Sequence, residues 1–186
     1  MNEVHRALRE RRTAHEYTSA PLPEGALRRA IDAAAAAPNH RMTEPWRFRQ
    51  VGPVTRNQLL ELYLELKTAK SGTLTEAQRQ RLQDKFMNPA ELLVVSRVRD
   101  DDPAVAREDY AAVACAVQNL MLALHVEGVG TKWTTGAVTR EDRTYDVVGV
   151  DFETERIEGF VWAGIAIAGD KPVRRLGRED LLVELP

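Results

Sequence analysis

Ala35-Ala36-Ala37-Pro38-Asn39-His40-Arg41-Met42-Thr43-Glu44-Pro45-Trp46-Arg47-Phe48 decides how the chain folds. Alanine is the best helix former, and the run over residues 33–37 closes a helical pattern. Pro38 terminates it, because proline lacks an amide donor and clashes with the preceding turn. A short polar loop follows, and the Pro45-Trp46 pair opens a strand over residues 46–53. A loop fixed between a helix and a strand presents side chains and backbone amides to a ligand while its flanks hold it still.

Outward from this stretch, residues 3–11 read as a short basic helix. Residues 24–37 read as a second, with Leu27, Ile31, Ala34 and Ala35 on one face. Leu59, Leu60, Tyr63 and Leu66 recur at helical spacing over residues 55–69, and Lys70-Ser71-Gly72-Thr73 reads as a break. Thr75-Glu76-Ala77-Gln78 matches a capping box opening a helix to about Met87; this polar middle region is expected to be mobile. Residues 91–98 form a strand. Asp102 caps the longest helix, Pro103 takes its first position, and the helix ends near Gly128. Over residues 111–123 it is apolar on every face apart from Gln118 and Asn119, which predicts burial all round. A chain this short has little left to wrap such a helix, so a subunit interface is expected. Strands follow at 129–134 and 157–168. In the second, Phe160, Val161, Trp162, Ile165 and Ile167 leave neither face polar, which marks a central strand. Thr139 is expected to cap a short helix over 140–148, and an apolar tail with Leu181, Leu182, Val183 and Leu185 is expected to dock. The pattern predicts a single α+β domain over residues 1–186, with one central sheet and helices packed around it.

Composition narrows the classes of function. A chain of 186 residues suits one domain, and a hydrophobic fraction of 44% is ordinary for a globular core. A formal net charge of −2 gives no overall bias toward nucleic acid or an anionic membrane. The first residues show no apolar signal segment, and no run of about 18 apolar residues suggests a membrane span. A lone cysteine, Cys115, allows no internal disulfide and fits a reducing compartment, so a soluble cytoplasmic protein is expected. Cys115 sits on the apolar helix, where burial would leave its thiol inert. His5, His15, His40 and His125 show no metal-ligand spacing.

Arg9, Arg11 and Arg12, followed by Thr13, form a basic cluster. Guanidinium forks pair phosphate oxygens two at a time, and a neighbouring hydroxyl completes the cradle. Cations at the end of a helix also complement its dipole, so the spacing alone fits a solvated terminus as well. In Gly128-Val129-Gly130-Thr131-Lys132-Trp133-Thr134-Thr135-Gly136, two glycines close the long helix and a short strand runs to a third, where a backbone could lie against a flat ring. Trp133 is equally suited to a core. Neither a GxGxxG fingerprint nor a GxxxxGK[ST] phosphate loop occurs.

Taken in order, Arg11-Arg12-Thr13, Ala37-Pro38-Asn39-His40, Glu44-Pro45-Trp46-Arg47-Phe48, Ala114-Cys115-Ala116-Val117-Gln118-Asn119-Leu120, Gly128-Val129-Gly130 and Trp133-Thr134-Thr135-Gly136 resemble the short, compact version of the nitroreductase family of FMN-dependent oxidoreductases. The resemblance implies a mostly antiparallel central sheet surrounded by helices, in an intertwined homodimer with FMN in the interface. It implies that Arg11, Arg12 and Thr13 hold the phosphate and ribityl end, and that His40 and Glu44 reach the flavin from the other subunit. Trp133, Thr134 and Thr135 would lie along the cofactor and offer backbone groups. A basic residue after the last strand, one of Lys171, Arg174 and Arg175 (Arg174 taken first), would help with the phosphate. The implied reaction is ping-pong hydride transfer from NADH or NADPH through the flavin to a nitro compound, quinone or similar electrophile, with no protein acid or base named as catalytic. Three positions depart from the family's pattern. Thr13 stands for serine, His15 stands where a lysine or arginine often lies close to the flavin pyrimidine edge, and Glu44 stands where an amide is common. The last two leave open a non-catalytic flavin-binding module, and a cofactor-free helical scaffold is a third reading.

Overall fold

Four antiparallel strands, β1 (Trp46–Gln50), β2 (Glu91–Val98), β3 (Gly130–Thr134) and β4 (Glu155–Gly164), make one sheet in the order β1-β2-β4-β3 in the computed structural model of the chain, which describes residues 2–167 and 176–185. The mostly antiparallel sheet that the resemblance implied is found, with all three pairings among these strands antiparallel. Among the described residues six α-helices surround it: α1 (Glu3–Glu10), α2 (Ala26–Ala35), α3 (Pro53–Ser71), α4 (Glu76–Met87), α5 (Pro103–Val126) and α6 (Asp142–Val148).

Each face of the sheet carries its own core. Leu93, Val95, Val161 and Ala163 point to one side, where α2 and α5 pack through Ala26, Ala30, Ala34, Val113, Val117 and Leu120. Leu92, Val94, Phe160 and Trp162 point to the other, against Leu59 and Leu62 of α3, Phe86 of α4 and Tyr145 of α6. Burying a side chain of this size stabilises the fold by about 1.5–3 kcal/mol. Polar groups reinforce the layers. Arg56 of α3, buried, donates to the Pro89 and Ala90 carbonyls ahead of β2, and burial lowers its pKa from the ordinary guanidinium value. Arg49, Ser96 and Glu155 tie β1, β2 and β4 together on one face. The Arg49 hydrogen bond holds the Glu155 carboxyl below the usual carboxylate range.

Several expectations are corrected in detail. The inward face of α2 is Ala26, Ala30 and Ala34, with Leu27 and Ile31 half-buried and Ala35 exposed, because small residues let α2 lie close on α5. The helix predicted over 140–148 is split into a 3₁₀ turn (Ala137–Arg140) and α6. Thr139 does not cap it: its hydroxyl donates to the Gly136 carbonyl. β4 begins two residues before the predicted start and ends at Gly164, leaving Ile167 exposed. The residues 70–73 break falls later, since α3 runs to Ser71, and the capping box of Thr75 and Gln78 forms as read.

The largest correction concerns α5. It is not buried all round in one chain: Tyr110, Ala111 and Cys115 are exposed, so the thiol expected to be buried faces outward. By length and composition α5 is also apolar enough to cross a membrane, contrary to the sequence expectation, although 44% of that apolar window is buried inside this chain. Asn119, one of its two polar positions, donates to the Ala33 carbonyl at the end of α2. The apolar tail likewise does not dock on its own chain, with Leu181, Leu182, Val183 and Leu185 all more than half exposed.

Candidate functional site

The amino-terminal segment is sewn to the end of the sheet. Thr13 pairs with Thr131 of β3 in a parallel bridge, the Ala14 amide donates to the Thr131 carbonyl at 3.0 Å, and the Thr18 amide donates to the Ile165 carbonyl at 2.9 Å. Gly130 and Gly164 permit this crossing. A Cβ on Gly130 would stand 2.7 Å from Ala166 Cβ and 2.8 Å from Ala14 Cβ, and one on Gly164 would stand 2.9 Å from the Tyr17 ring. Tyr17 is buried and donates to the Ala14 carbonyl, and burial pushes its phenol pKa up. The structure therefore brings Thr13 beside Thr131 and His15 beside Lys132, with Arg11 and Arg12 just before the crossing and Trp133, Thr134 and Thr135 just after it along β3 and its end.

Within this cluster the side chains differ in availability. Thr13 and Thr135 are exposed. Arg12 bends back and donates to the Arg9 and Arg11 carbonyls, closing the end of α1, as a cation at a helix C-terminus does. Thr134 spends its hydroxyl inside the sheet, accepting from Trp162 Nε1 at 3.1 Å. Trp133 is half-buried on the α2–α5 side with its indole over Gly159, and its Nε1 has no hydrogen-bond partner among the described residues. At Gly136 the backbone is extended, and the space where a side chain would stand is open. Arg174, Lys171 and Arg175 lie outside the described residues.

His40 and Glu44 belong to a second place in the fold. They precede β1, and β1 and β3 are opposite edges of the sheet, three strand spacings or about 14 Å apart. The loop is anchored to the amino-terminal half of α5. Thr43 Oγ1 donates to the buried Asp109 carboxylate at 2.6 Å, while His40 Nδ1 and Arg41 Nε each stand 3.3 Å from Glu108. Because the single Thr43 proton goes to Asp109, the Asn39 side chain donates to Thr43 Oγ1, and its oxygen accepts from the Thr43 and Glu44 amides. Arg41, Met42 and Glu44 all hold positive φ (65°, 53° and 45°). Non-glycine residues persist there only where the surroundings over-determine them, and such strain gathers at functional loops.

Sequence reasoning missed Thr43, Asp109 and Lys132. The signals were the acidic pair Glu108-Asp109 at the edge of the apolar stretch of α5 and a lysine alternating with Trp133 on a strand. Among the described residues no group of three or more His, Cys, Asp or Glu could hold a metal.

The sequence model of the Nitroreductase family matches residues 8–165, which span the crossing segment, the loop and all four strands. The chain belongs to the nitroreductase family. It is 25% identical over 179 residues, 96% of this chain and 92% of that protein, to a Bacillus subtilis (strain 168) protein that carries the provisional name NAD(P)H nitroreductase YfhC. It is 26% identical over 145 residues, 77% of this chain and 78% of that protein, to Escherichia coli (strain K12) YdjA, provisionally named in the same way. Among solved structures, a nitroreductase-like family protein from Bacillus cereus shares the fold at a TM-score of 0.85 and 24% identity, covering 100% of this chain and 97% of that one. A nitroreductase with bound FMN from Bacteroides fragilis NCTC 9343 does so at 0.73 and 22%, covering 100% of both chains.

Proposed function

We propose that residues 1–186 form one domain of an FMN-dependent oxidoreductase. It passes hydride from NAD(P)H to nitroaromatic, quinone or similar electrophilic acceptors. The observation that carries this reading is the Thr13–Thr131 bridge, which sets a basic, hydroxyl-bearing segment against the strand that leads to Trp133, Thr134 and the open, extended Gly136 in a nitroreductase-family chain. An exposed hydroxyl, a neighbouring arginine and a strand end with open space beside Gly136 fit a phosphate, a ribityl chain and the edge of a flat ring. The relative from Bacteroides fragilis, which binds FMN, supports the same cofactor.

In this reading Arg11 and Thr13 hold the phosphate and ribityl end, with Arg174 as a further phosphate ligand. Arg12 acts chiefly by shaping the turn, because its guanidinium already serves two carbonyls. Trp133, Thr134 and Thr135 carry the ring through their backbone, with Trp133 and the Thr134 hydroxyl fixing the strand beneath. His40 and Glu44 serve a site in a homodimer, since one chain holds them at the far edge of the sheet. The exposed α5 residues Tyr110, Ala111 and Cys115 are the apolar surface such a dimer would cover. FMN would supply the hydride chemistry, and a shared slot for donor and acceptor makes the kinetics ping-pong.

The deciding experiment is the absorption spectrum of the purified protein, followed by mixing with NADH or NADPH under nitrogen. A yellow protein that bleaches rapidly is expected. A yellow protein that never bleaches is a binding module instead, and a colourless one that takes up no FMN overturns the reading.

Glu44 adds a second expected result. Its carboxylate can accept from a flavin N–H but cannot donate to a carbonyl, and it sets negative charge near a ring that becomes negative on reduction. Glu44→Gln is expected to raise the flavin midpoint by on the order of 30 mV, with a changed pH dependence. Identical midpoints for the two proteins across pH would rule this role out.

A further inference from the structure

Three lysines converge on the side of the sheet opposite Trp133. Lys132 alternates with Trp133 on β3, and its register partner on β4 is Trp162. The Trp162 ring stacks edge-on against Phe86 at 4.9 Å, and Phe86 lies 5.3 Å from Tyr63. Lys85, next to Phe86, sits 4.6 Å over the Tyr63 ring with its Nζ 3.4 Å from the Tyr63 hydroxyl. Lys67 sits 5.5 Å over the same ring. On the near side, Lys132 Nζ is 3.2 Å from His15 Nδ1. For that contact to be a hydrogen bond, Nδ1 must be unprotonated and accept from the ammonium, which leaves the ring proton on the exposed Nε2 edge.

Ordinary solvated surface lysines on α3, α4 and β3 would explain three cations without further meaning, and Lys85 also lies in the last turn of α4, where the dipole favours it. Two features go beyond that. All three lysines are only partly exposed, and among the described residues none forms an ion pair with a carboxylate. Burial lowers the Lys132 pKa, the nearby Lys85 lowers it further, and Tyr63 offsets part of this. Cations held together at partial desolvation without counter-charge gain most from a bound anion.

We propose that Lys85, Lys132 and His15, with the Tyr63 hydroxyl, form an anion-binding subsite that takes the carboxylate or other oxyanion of a small substrate. Lys67, over the same Tyr63 ring, adds attraction at longer range. Because His15 follows directly on the Arg11–Thr13 turn, the subsite adjoins the place assigned above to the cofactor. Its use in selecting acceptors rests on that reading, but its anion binding does not. Two sources could supply the oxyanion: an acceptor bearing a carboxylate, or the 2′-phosphate of NADPH.

Calorimetric titration of the purified protein, with whatever flavin it retains, against benzoate and the neutral benzamide tests the subsite directly. Benzoate is expected to bind at least tenfold more tightly. Lys132→Met and Lys85→Met should each remove most of that preference, and Lys132→Arg should keep it. A parallel comparison of NADPH with NADH separates the sources. If the variants lose preference for NADPH as well, the phosphate shares the subsite; if only the benzoate preference falls, the acceptor's carboxylate is the ligand. Equal binding of benzoate and benzamide, or a benzoate preference unchanged in both methionine variants, overturns the proposal. A protein that holds no flavin yet selects benzoate through these lysines would refute the oxidoreductase reading alone.

Discussion

Gly159→Ala is expected to destabilise the fold by about 4 kcal/mol, an unusually large loss for a single added methyl group. Gly159 lies inside β4 at φ +148°, a conformation that L side chains rarely adopt. A Cβ there would stand 2.5 Å from Trp133 Nε1 and 2.6 Å from the Thr134 carbonyl oxygen. The second neighbour is backbone on the adjacent strand and cannot swing aside. Overpacking of this kind costs about 1–3 kcal/mol, and a strained backbone costs a comparable amount. At roughly 2–4 °C per kcal/mol for a chain of this size, the melting temperature should fall by about 8–16 °C. Gly136→Ala is the matched control, because its φ of −70° is ordinary and its Cβ would meet nothing within 4 Å. That variant should melt within about 3 °C of the wild type. Thermal unfolding followed by circular dichroism reads both, and a Gly159→Ala protein that melts with the wild type would remove the argument.

The same glycine shows where sequence reading stops. The apolar run over 160–163 was legible as a central strand because both faces are covered, by Val161 and Ala163 on one side and by Phe160 and Trp162 on the other. The capping box at Thr75, the Asp102-Pro103 start of α5 and the strand over residues 91–98 were legible for local reasons: each is a pattern of neighbouring residues with one stable solution. The bulge between β2 and β4 was not, because it depends on Arg97 reaching Glu158 across the sheet while Gly159 yields to Trp133. At the candidate site the sequence named Arg11, Thr13, His15, His40 and Glu44 from a pattern. The helix-end reading of the arginines, kept open beside the phosphate one, is the one Arg12 takes, but nothing in the sequence showed that Lys132 would meet His15. That second contact arises from a crossing between segments more than a hundred residues apart, which no local periodicity encodes.

The anchor of the loop over residues 39–44 yields the second large effect. Thr43→Val removes a hydroxyl and keeps the shape, so packing is nearly unchanged. Asp109, 4% exposed on α5, then loses the Thr43 proton that it holds at 2.6 Å. Leaving a buried polar group unpaired costs about 1–3 kcal/mol, at the upper end for a carboxylate. The loop loses its tie at the same time. Arg41, Met42 and Glu44 sit at positive φ, each at an expense of about 1 kcal/mol or more, and without Thr43 nothing from Asp109 opposes their relaxation. His40 and Glu44 should therefore leave their present positions. The expected result is a loss of about 2 kcal/mol in urea unfolding and, if FMN uses this loop, at least a tenfold weaker FMN dissociation constant by fluorescence titration. Thr43→Ser restores the donor and should restore both. The stability loss tests the anchor alone, while the FMN constant tests the placement of His40 and Glu44. Wild-type values of both in Thr43→Val would mean that the strained loop is held by something other than the Thr43–Asp109 bond.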